Sequence, residues 1–130
     1  KFSTTDSLSL FIHVDGSSQV LLDKARVNVL LKNIIGNSVK YRRSDVDAEI
    51  RVNIINENKM AHIVVSDNGE GIASEHQQKI FDMFFRGTSN SVGTGLGLYI
   101  CKEIVNKMNG TIDVSSQKGI GTTMKINLPQ

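Results

Sequence analysis

Apolar and polar residues alternate in several short stretches of the chain, and this alternation predicts β-strands. Residues 8–14 alternate throughout and predict a half-buried strand. Two further runs, 50–54 and 61–67, are separated by the polar turn 56–59, an arrangement that predicts a hairpin. Two last runs within residues 112–128 surround a glycine-containing turn and predict a second hairpin.

A different spacing predicts two long helices. Residues 96–108 predict one that ends at Asn109–Gly110, a pair suited to a left-handed helix stop. Residues 74–82 predict a short polar helix, whereas residues 86–95 lack periodicity and are expected to form a mobile loop. Residues 23–42 predict the other long helix, because small or apolar side chains recur there at steps of three and four. These are Val27, Leu30, Leu31, Ile34 and Ser38.

Strand pairs that alternate with single helices predict one sheet with helices on one face, a two-layer α/β (α+β) sandwich. At 130 residues the chain is long enough for one hydrophobic core, so we expect a single domain over residues 1–130. The chain has no initiator methionine and no signal-like start, and we therefore expect a fragment of a longer protein.

Composition and charge exclude several classes of function. With 39% hydrophobic and 22% charged residues, the chain is neither disordered nor membrane-like. A net charge of +2 is too small for a nucleic-acid binder, and no apolar run approaches the roughly 20 residues that span a bilayer, so we expect neither nucleic acid nor direct membrane contact. The single cysteine, Cys101, excludes an internal disulfide and a cysteine metal cluster, and it favours a cytoplasmic setting.

Three polar residues on the first predicted helix form the first candidate cluster. Asn33, Asn37 and Lys40 are separated by steps of four and three residues, which places them on one stripe beside the apolar face. Asparagine is a mediocre helix former, so helix stability does not explain this pair. A carboxamide oxygen suits Mg²⁺ and an ammonium suits phosphate. An ordinary solvated helix face is the alternative.

The second cluster follows the third predicted strand. Asp67 has the same pleat parity as Ile63 and Val65, so its carboxylate is expected to point into an apolar surround, which is costly without hydrogen-bond donors. An exocyclic amino group, as on adenine, would supply a donor, whereas guanine offers a carbonyl there. Gly69 and Gly71 would let the backbone turn sharply and approach a flat ring closely. A plain turn is the alternative, although residues 72–75 resemble a helix start rather than a returning strand.

The third cluster is glycine-rich and opens the second long helix. Residues 93–98 read Gly-Thr-Gly-Leu-Gly-Leu. Glycines leave room for phosphate oxygens to reach backbone N–H groups, and the helix N-terminus adds favourable partial charge. The pattern is neither a Walker loop nor a dinucleotide fingerprint, so it is weak evidence by itself.

Taken in order, four motifs resemble those of the Bergerat-fold ATPases, and most closely those of histidine kinases. All four occur in that family's order and spacing, and the likeness extends from about Gln19 to Pro129. The resemblance implies the Bergerat ATP-binding fold, with a mixed, mostly antiparallel sheet and helices packed on one face. The motifs are Asn33–Tyr41, similar to the N box; Asp67–Gly71, similar to the first glycine box; Phe81–Arg86, similar to the phenylalanine box; and Gly93–Leu98, similar to the second glycine box.

The resemblance implies a site for ATP and Mg²⁺, with a role for each matched residue. Asn37 would hold Mg²⁺, and Asn33 would lie near the metal and the phosphates. Lys40 would contact phosphate and Tyr41 would lie against the nucleotide. Asp67 would bind the adenine amino group.

The glycine boxes would contribute through their backbone. Gly69, Gly71 and Ile72 would shape the base pocket. Residues 86–95 would form an ATP lid from which Arg86 would reach the γ-phosphate, a surface arginine being the alternative. Phe81, Phe84 and Phe85 are interpreted as packing that anchors this lid. The second box would meet the phosphates through Gly93, Thr94, Gly95, Leu96, Gly97 and Leu98.

One position separates this chain from the hydrolytic members that it resembles. Those gyrase-like, mismatch-repair-like and chaperone-like proteins carry a glutamate, the general base for water, where this chain has Asn33. An asparagine cannot accept a proton, so hydrolysis should be poor and transfer to a presented acceptor is favoured. Asn33, Asn37, Lys40 and Arg86 are thus the candidate catalytic residues.

No histidine of the chain has the setting of a kinase phosphoacceptor, which lies on a helix before an acidic residue. His13 and His62 lie in strand patterns, and His76 precedes Gln77. We therefore expect a phosphoacceptor histidine domain outside this chain, a response-regulator receiver domain as a further partner, a homodimeric full-length protein, and a cytoplasmic domain that a membrane-anchored sensor could carry. The isolated chain should bind ATP without phosphorylating itself.

Three other interpretations remain open from the sequence. The first is a serine kinase of the anti-sigma type, which shares the fold. The second is a nucleotide-gated interaction module whose lid docks a partner. The third, a generic α/β domain with incidental glycines, would require four ordered motifs to coincide.

Overall fold

The computed structural model describes residues 7–16, 22–83, 85 and 96–130. The chain forms a five-stranded sheet and two α-helices, together with one short 3₁₀ turn at Ser74–His76. In chain order the main elements are β1 (Leu8–Gly16), α1 (Lys24–Lys40), β2 (Ala48–Glu57), β3 (Met60–Asp67), α2 (Gly97–Lys107), β4 (Thr111–Gln117) and β5 (Gly121–Pro129).

The sheet is mixed and mostly antiparallel, as the sequence resemblance implied. The strand order is β1-β2-β3-β5-β4, and β1 runs parallel to β2 while the other neighbours are antiparallel. Ile63 on β3 lies opposite Ile54 on β2 and Ile126 on β5. Because side chains alternate between faces along a strand, these positions share one face of the sheet.

Both helices cover that apolar face, so the predicted two-layer sandwich is confirmed. Helix α1 packs over β2 and β3, and α2 packs over β4 and against α1. One core joins the two layers. Its buried members are Leu30, Ile34, Ile50, Val52, Ile63, Val65, Ile80, Cys101, Val105, Ile112, Met124, Ile126 and Leu128.

Buried Cys101 fixes the contact between the two helices. Its Sγ lies 3.7 Å from the Leu30 backbone carbonyl of α1. Burial raises the pKa of the thiol to about 12. The thiol therefore stays protonated at neutral pH and packs as a small apolar side chain.

Specific hydrogen bonds define the start of α1 and the end of α2. Asp23 precedes α1 and its Oδ1 accepts the Arg26 N–H at 3.1 Å, a side-chain cap for the first turn. Helix α2 ends where Asn109 adopts a φ of 60°, and the Gly110 N–H then bonds to the Val105 carbonyl at 2.9 Å. This is a Schellman stop, so the predicted end at residues 109–110 is confirmed.

Both predicted hairpins are present. In the first, the φ angles of Asn58 (53°) and Lys59 (61°) are both positive, which is the backbone of a two-residue type I′ turn. The second hairpin joins β4 to β5 through residues 118–120.

The predicted half-burial of the first strand is wrong. Its apolar residues Leu8, Leu10, Ile12 and Val14 are 45–62% exposed. Strand β1 lies at the edge of the sheet, and the helices pack over β2, β3 and β4 instead. Alternation along a strand predicts which side chains share a face, but not whether a second layer covers that face.

The short polar helix predicted at 74–82 is confirmed only at its start, where Ser74–His76 forms a 3₁₀ turn. The following turns keep bonds to the third residue back, such as Lys79 N–H to the His76 carbonyl at 2.9 Å. The Gln77 amide holds this segment against β4 through the Ser116 carbonyl at 2.8 Å. Tertiary contacts therefore override the local helical preference.

No helix within the described ranges is both long and apolar enough to cross a membrane.

Leu30 offers a test of the core. It is fully buried on α1, whereas its neighbour Val29 is 43% exposed. We expect Leu30→Ala to lower the free energy of unfolding by about 2–5 kcal/mol, through lost transfer energy and a residual cavity. Val29→Ala, on the same helix, should change it by no more than about 0.5 kcal/mol. Urea denaturation followed by circular dichroism measures both, and equal losses would contradict the assignment of Leu30 to the core.

Candidate nucleotide site

Helix α1 carries a polar stripe beside its buried face, and Asn33 begins this stripe. Its Nδ2 donates to the Val29 carbonyl one turn earlier at 2.8 Å, which fixes the carboxamide and directs its oxygen away from α1. A Cβ added to Gly97 would lie only 3.1 Å from that oxygen. The absence of a side chain at Gly97 therefore lets the first turn of α2 approach Asn33 closely, and the structure brings the first and third sequence clusters together.

The next polar residues along the stripe are Asn37 and Lys40. Asn37 is half-buried, and within the described part of the chain its carboxamide has no hydrogen-bond partner. Lys40 is exposed, and its Nζ lies 5.6 Å from the centroid of the Tyr41 ring. One amide and one ammonium thus lie about one helical turn apart on the same side of α1.

The C-terminal end of α1 contacts the loop that follows β3. The Tyr41 carbonyl accepts the Glu70 N–H at 2.9 Å. A Cβ on Gly69 would lie 2.8 Å from the same carbonyl, closer than a real Cβ contact permits. Gly69 is therefore needed for this junction, and the first and second sequence clusters also meet.

Asp67 ends β3 with a half-buried carboxylate that three donors hold. Its Oδ2 accepts the Ser38 hydroxyl of α1 at 2.8 Å. Its Oδ1 accepts two backbone N–H groups, from Gly69 at 2.9 Å and from Thr122 at 3.2 Å. All three donors are neutral, so among the described residues hydrogen bonds rather than an ion pair hold the carboxylate.

These contacts correct one step of the sequence argument. An amino group of a ligand was expected to supply the donor that a carboxylate in an apolar surround requires, but the chain supplies three donors itself. A carboxylate has about four lone-pair sites. Two donors occupy Oδ1 and one occupies Oδ2, so one acceptor site of Asp67 remains, on Oδ2.

The loop after β3 also packs, backbone against backbone, on the turn between β4 and β5. Gly71 has a φ of 72°, and an added Cβ would lie 2.1 Å from the Gln117 carbonyl. The Gly119 N–H donates to the Glu70 carbonyl at 2.7 Å. Gly69 and Gly71 thus let protein backbone approach protein backbone at this junction.

Arg43 adds a side-chain clamp to this junction. Its Nη1 donates to the Gly119 carbonyl at 2.9 Å, and its other nitrogens pair with Asp45 at 2.8 and 3.0 Å. The hydrogen bond from Arg43 lowers the pKa of the Asp45 carboxyl, which desolvation opposes. The pair is solvent-accessible and therefore contributes more to the orientation of Arg43 than to stability.

Sequence reasoning missed several residues that build the site. Ser38 appeared only as part of the apolar stripe, and Thr122 was not singled out. Gly121, at the start of β5, lets that strand approach β3, because an added Cβ would lie 2.0 Å from the Asp67 carbonyl. A glycine at the start of a strand is a signal for such an approach. The hydroxyl of Ser116 accepts the Ile72 N–H at 2.8 Å and so holds the end of the loop, a contact with no sequence signal.

The start of α2 lies at the far end of the stripe from Asp67. Leu96 occupies the cap position of α2, and its own side chain makes no capping hydrogen bond. Leu98 and Ile72 pack against the core, as do Phe81 and Phe85. The other predicted residues, Arg86, Gly93, Thr94 and Gly95, lie outside the described residues, as do the predicted lid 86–95 and Phe84.

A family model described as "Histidine kinase-, DNA gyrase B-, and HSP90-like ATPase" matches residues 22–130. Among curated proteins, Sensor protein SrrB of Staphylococcus aureus is 40% identical to this chain over 113 residues. The alignment covers 83% of this chain and 19% of SrrB, so the chain spans about a fifth of the length of this relative.

Several solved structures share the fold, among them two that are named as histidine kinases. The mycobacterial sensor histidine kinase MprB superposes with a TM-score of 0.81 at 27% identity, covering 94% of this chain and 83% of that chain. A nucleotide-free catalytic domain of histidine kinase ThkA superposes with a TM-score of 0.80 at 25% identity, covering 94% of this chain and 80% of that chain. Full-length ShkA in complex with AMPPNP superposes with a TM-score of 0.81, covering 94% of this chain and 25% of that chain. Its identity is 24%, so it supports the fold alone. The chain belongs to the histidine kinase-, DNA gyrase B- and HSP90-like ATPase family, and its sensor-kinase relatives identify it within that family as a histidine kinase catalytic ATP-binding domain.

Proposed function

We propose that this domain binds Mg²⁺ and ATP along α1 and transfers the γ-phosphate to a histidine on a separate domain. The observation that carries the proposal is the position of two features that contact the C-terminal half of α1 five residues apart, at Asn33 and at Ser38. Asp67, with one acceptor site left, lies beside the C-terminal half of α1 through Ser38. The start of α2 lies beside Asn33 through Gly97.

The distance from Asn33 to Tyr41 supports a nucleotide that lies along the C-terminal half of α1. From Asn33 to Tyr41 the helix rises by about 12 Å, which an extended nucleoside triphosphate can span. The base would bind at the Asp67 end and the phosphates at the α2 end. Asn37 lies between Asn33 and Ser38, and Lys40 follows Ser38 on the same polar stripe.

Adenine is the base that fits Asp67. The free acceptor site on Oδ2 requires a hydrogen-bond donor, which the exocyclic amino group of adenine provides. Guanine would place a carbonyl oxygen against the carboxylate, and two acceptors repel each other. Tyr41 at the end of α1, together with Ile72 and the backbone of Gly69 and Gly71, would border the base.

The phosphates fit the start of α2, where the side chain of Leu96 makes no capping hydrogen bond. Backbone N–H groups at a helix N-terminus bind anions, and the helix dipole favours negative charge there. Leu96, Gly97 and Leu98 would contribute their backbone, and so would Gly93, Thr94 and Gly95 if they take the family's arrangement. Lys40, and Arg86 by the same resemblance, would add cationic charge.

The residues present fit a magnesium ion that is held mainly by the nucleotide. The described residues contain no group of three or more His, Cys, Asp or Glu side chains that could hold a metal. Mg²⁺ is often bound through few protein ligands together with phosphates and water. The carboxamide of Asn37, which has no hydrogen-bond partner among the described residues, is one suitable oxygen ligand. When bound, the ion would neutralise phosphate charge during transfer.

The chemistry that these residues support is transfer rather than hydrolysis. Asn33 lies where the phosphates would end, and an asparagine cannot activate water by taking a proton. The Nδ2 of Asn33 donates a hydrogen bond to the Val29 carbonyl. The Asn33 side-chain oxygen can accept hydrogen bonds or ligate a cation. The domain would therefore position ATP and leave the nucleophile to a partner.

A separate phosphoacceptor domain is part of the proposal. His13 and His62 lie on strands, with His62 Nδ1 2.5 Å from the Asn127 amide oxygen, and His76 packs beside Phe85 in the 3₁₀ turn. None of these three lies on an α-helix. We infer a helical phosphoacceptor domain, a response-regulator receiver domain that takes the phosphoryl group onward, a homodimeric parent protein and a cytoplasmic location.

Asp67→Asn tests the adenine end. The substitution keeps the shape and the Oδ1 contacts but removes the charge that the amino group would meet. We expect ATP affinity to fall roughly 10- to 100-fold, the range for losing a hydrogen bond to a charged group. Isothermal titration calorimetry measures the affinity, and circular dichroism checks that the fold survives. Asp113→Asn, at an exposed position of β4, is the matched control. Unchanged ATP binding in the Asp67 variant would remove the adenine assignment.

Asn37→Ala tests the metal role. We expect the affinity for Mg²⁺ and ATP together to fall several-fold more than the affinity for ADP in the presence of EDTA, because only the former uses the amide as a ligand. The same calorimetry measures both. Asn28→Ala, exposed on the same helix, should leave both affinities unchanged. Equal losses for the two nucleotides in the Asn37 variant would count against metal binding.

Phosphotransfer is tested with radiolabelled ATP and an added helical-hairpin protein that carries a phosphoacceptor histidine. We expect no label on this chain alone and label on the added protein. That label should be stable in base and lost in acid, as phosphohistidine is. Acid-stable label would instead indicate a serine kinase, and the absence of label would favour a nucleotide-gated interaction module.

A further inference from the structure

We propose that Ser38 is a specificity-determining residue that acts by positioning the Asp67 carboxylate for a 6-aminopurine. This inference rests on the proposed adenine site and adds a residue that the sequence motifs do not assign to the nucleotide. Ser38 is the only polar or charged side chain of the described residues that is classed as buried, with 8% of its surface exposed.

The hydroxyl of Ser38 has two acceptors within reach and only one hydrogen. Its Oγ lies 3.4 Å from the Ile34 carbonyl, the usual acceptor for a helical serine, and 2.8 Å from Asp67 Oδ2. The carboxylate contact is shorter and charge-assisted, so the Ser38 hydroxyl donates its hydrogen bond to Asp67 Oδ2. Ser38 therefore forgoes a bond within its own helix in order to hold the carboxylate.

Three separate parts of the fold then hold both oxygens of Asp67. Helix α1 holds Oδ2 through Ser38, while the loop after β3 and strand β5 hold Oδ1 through Gly69 and Thr122. A carboxylate held on both oxygens cannot rotate about its Cβ–Cγ bond without losing a donor. The remaining lone pair on Oδ2 is thereby fixed in one direction.

The same contact sets the polarity of this edge of the site. Having donated its hydrogen, the Ser38 oxygen presents only lone pairs, next to the remaining lone pair of Asp67 Oδ2. Two adjacent acceptors favour a ligand group that can donate, as an exocyclic amino group does. A ligand carbonyl could be accommodated only if Ser38 turned its hydrogen away from the carboxylate, which would break a charge-assisted bond.

A purely structural role for Ser38 makes a different prediction. If the serine only filled space between α1 and β3, its removal would weaken all nucleotides by the same factor. If it positions Asp67, its removal should weaken nucleotides that carry the amino group and spare those that lack it. The ratio of two affinities therefore separates the two roles.

The test compares ADP with purine riboside 5′-diphosphate, which has hydrogen in place of the amino group, both with Mg²⁺. Calorimetry gives both affinities for the unmodified 130-residue chain and for Ser38→Ala, Asp67→Asn and the double variant. We expect the unmodified chain to prefer ADP roughly tenfold or more, the scale of one hydrogen bond to a charged group. Ser38→Ala should lower this preference several-fold while changing the affinity for the analogue less than about twofold.

The double variant shows whether Ser38 acts through Asp67. If it does, Ser38→Ala should not lower the preference further once Asp67→Asn is present. Ser115→Ala, an exposed serine on β4, should leave the preference unchanged. Equal loss for both nucleotides in Ser38→Ala, or an unchanged preference, would overturn the positioning role while the adenine site stands. A lack of preference in the unmodified chain would overturn the adenine site itself, and the role of Ser38 with it.

Discussion

The site depends on one half-buried carboxylate that neutral donors hold. Asp67 lies where β3 ends, and it meets a hydroxyl from α1, an N–H from its own loop and an N–H from β5. A charged group in such a place is costly unless hydrogen bonds replace its lost water. Because each donor comes from a different element, the helix, the loop and the sheet must all be in place for the carboxylate to be stable and correctly oriented.

Small residues make that convergence possible. An added side chain on Gly69 would collide with the end of α1, and one on Gly121 would collide with the backbone of β3 itself. Gly97 leaves room near the middle of α1, where an added Cβ would lie 3.1 Å from the Asn33 side-chain oxygen. The conformational entropy lost at glycines is the cost of bringing several backbones together. The glycine boxes therefore hold the secondary-structure elements together as well as leaving room for a nucleotide.

Sequence periodicity predicted the layers because it reports which side chains share a face. The periodicity therefore predicted α1, both hairpins and the two-layer packing. The order of the motifs predicted a single site that contains Asn33 and Asp67. Periodicity could not show that neither helix covers β1, because which strands the helices cover depends on the packing of the whole fold. It also missed Ser38, whose hydroxyl looks like a small filler in an apolar stripe until a carboxylate 29 positions later lies 2.8 Å away. Such contacts depend on three-dimensional approach, which no spacing along one element encodes.

Because the donors around Asp67 are neutral, the base end and the phosphate end of the site should respond differently to ionic strength. The screening length of dissolved salt is about 10 Å at 0.1 M and shortens as salt is added, so salt weakens attraction between exposed charges. It hardly alters a short hydrogen bond from a hydroxyl or an amide. Added salt should therefore leave the grip on the base largely intact and weaken the attraction between exposed Lys40 and a triphosphate. How strongly nucleotide affinity varies with salt then reports on the phosphate end, almost independently of the base end.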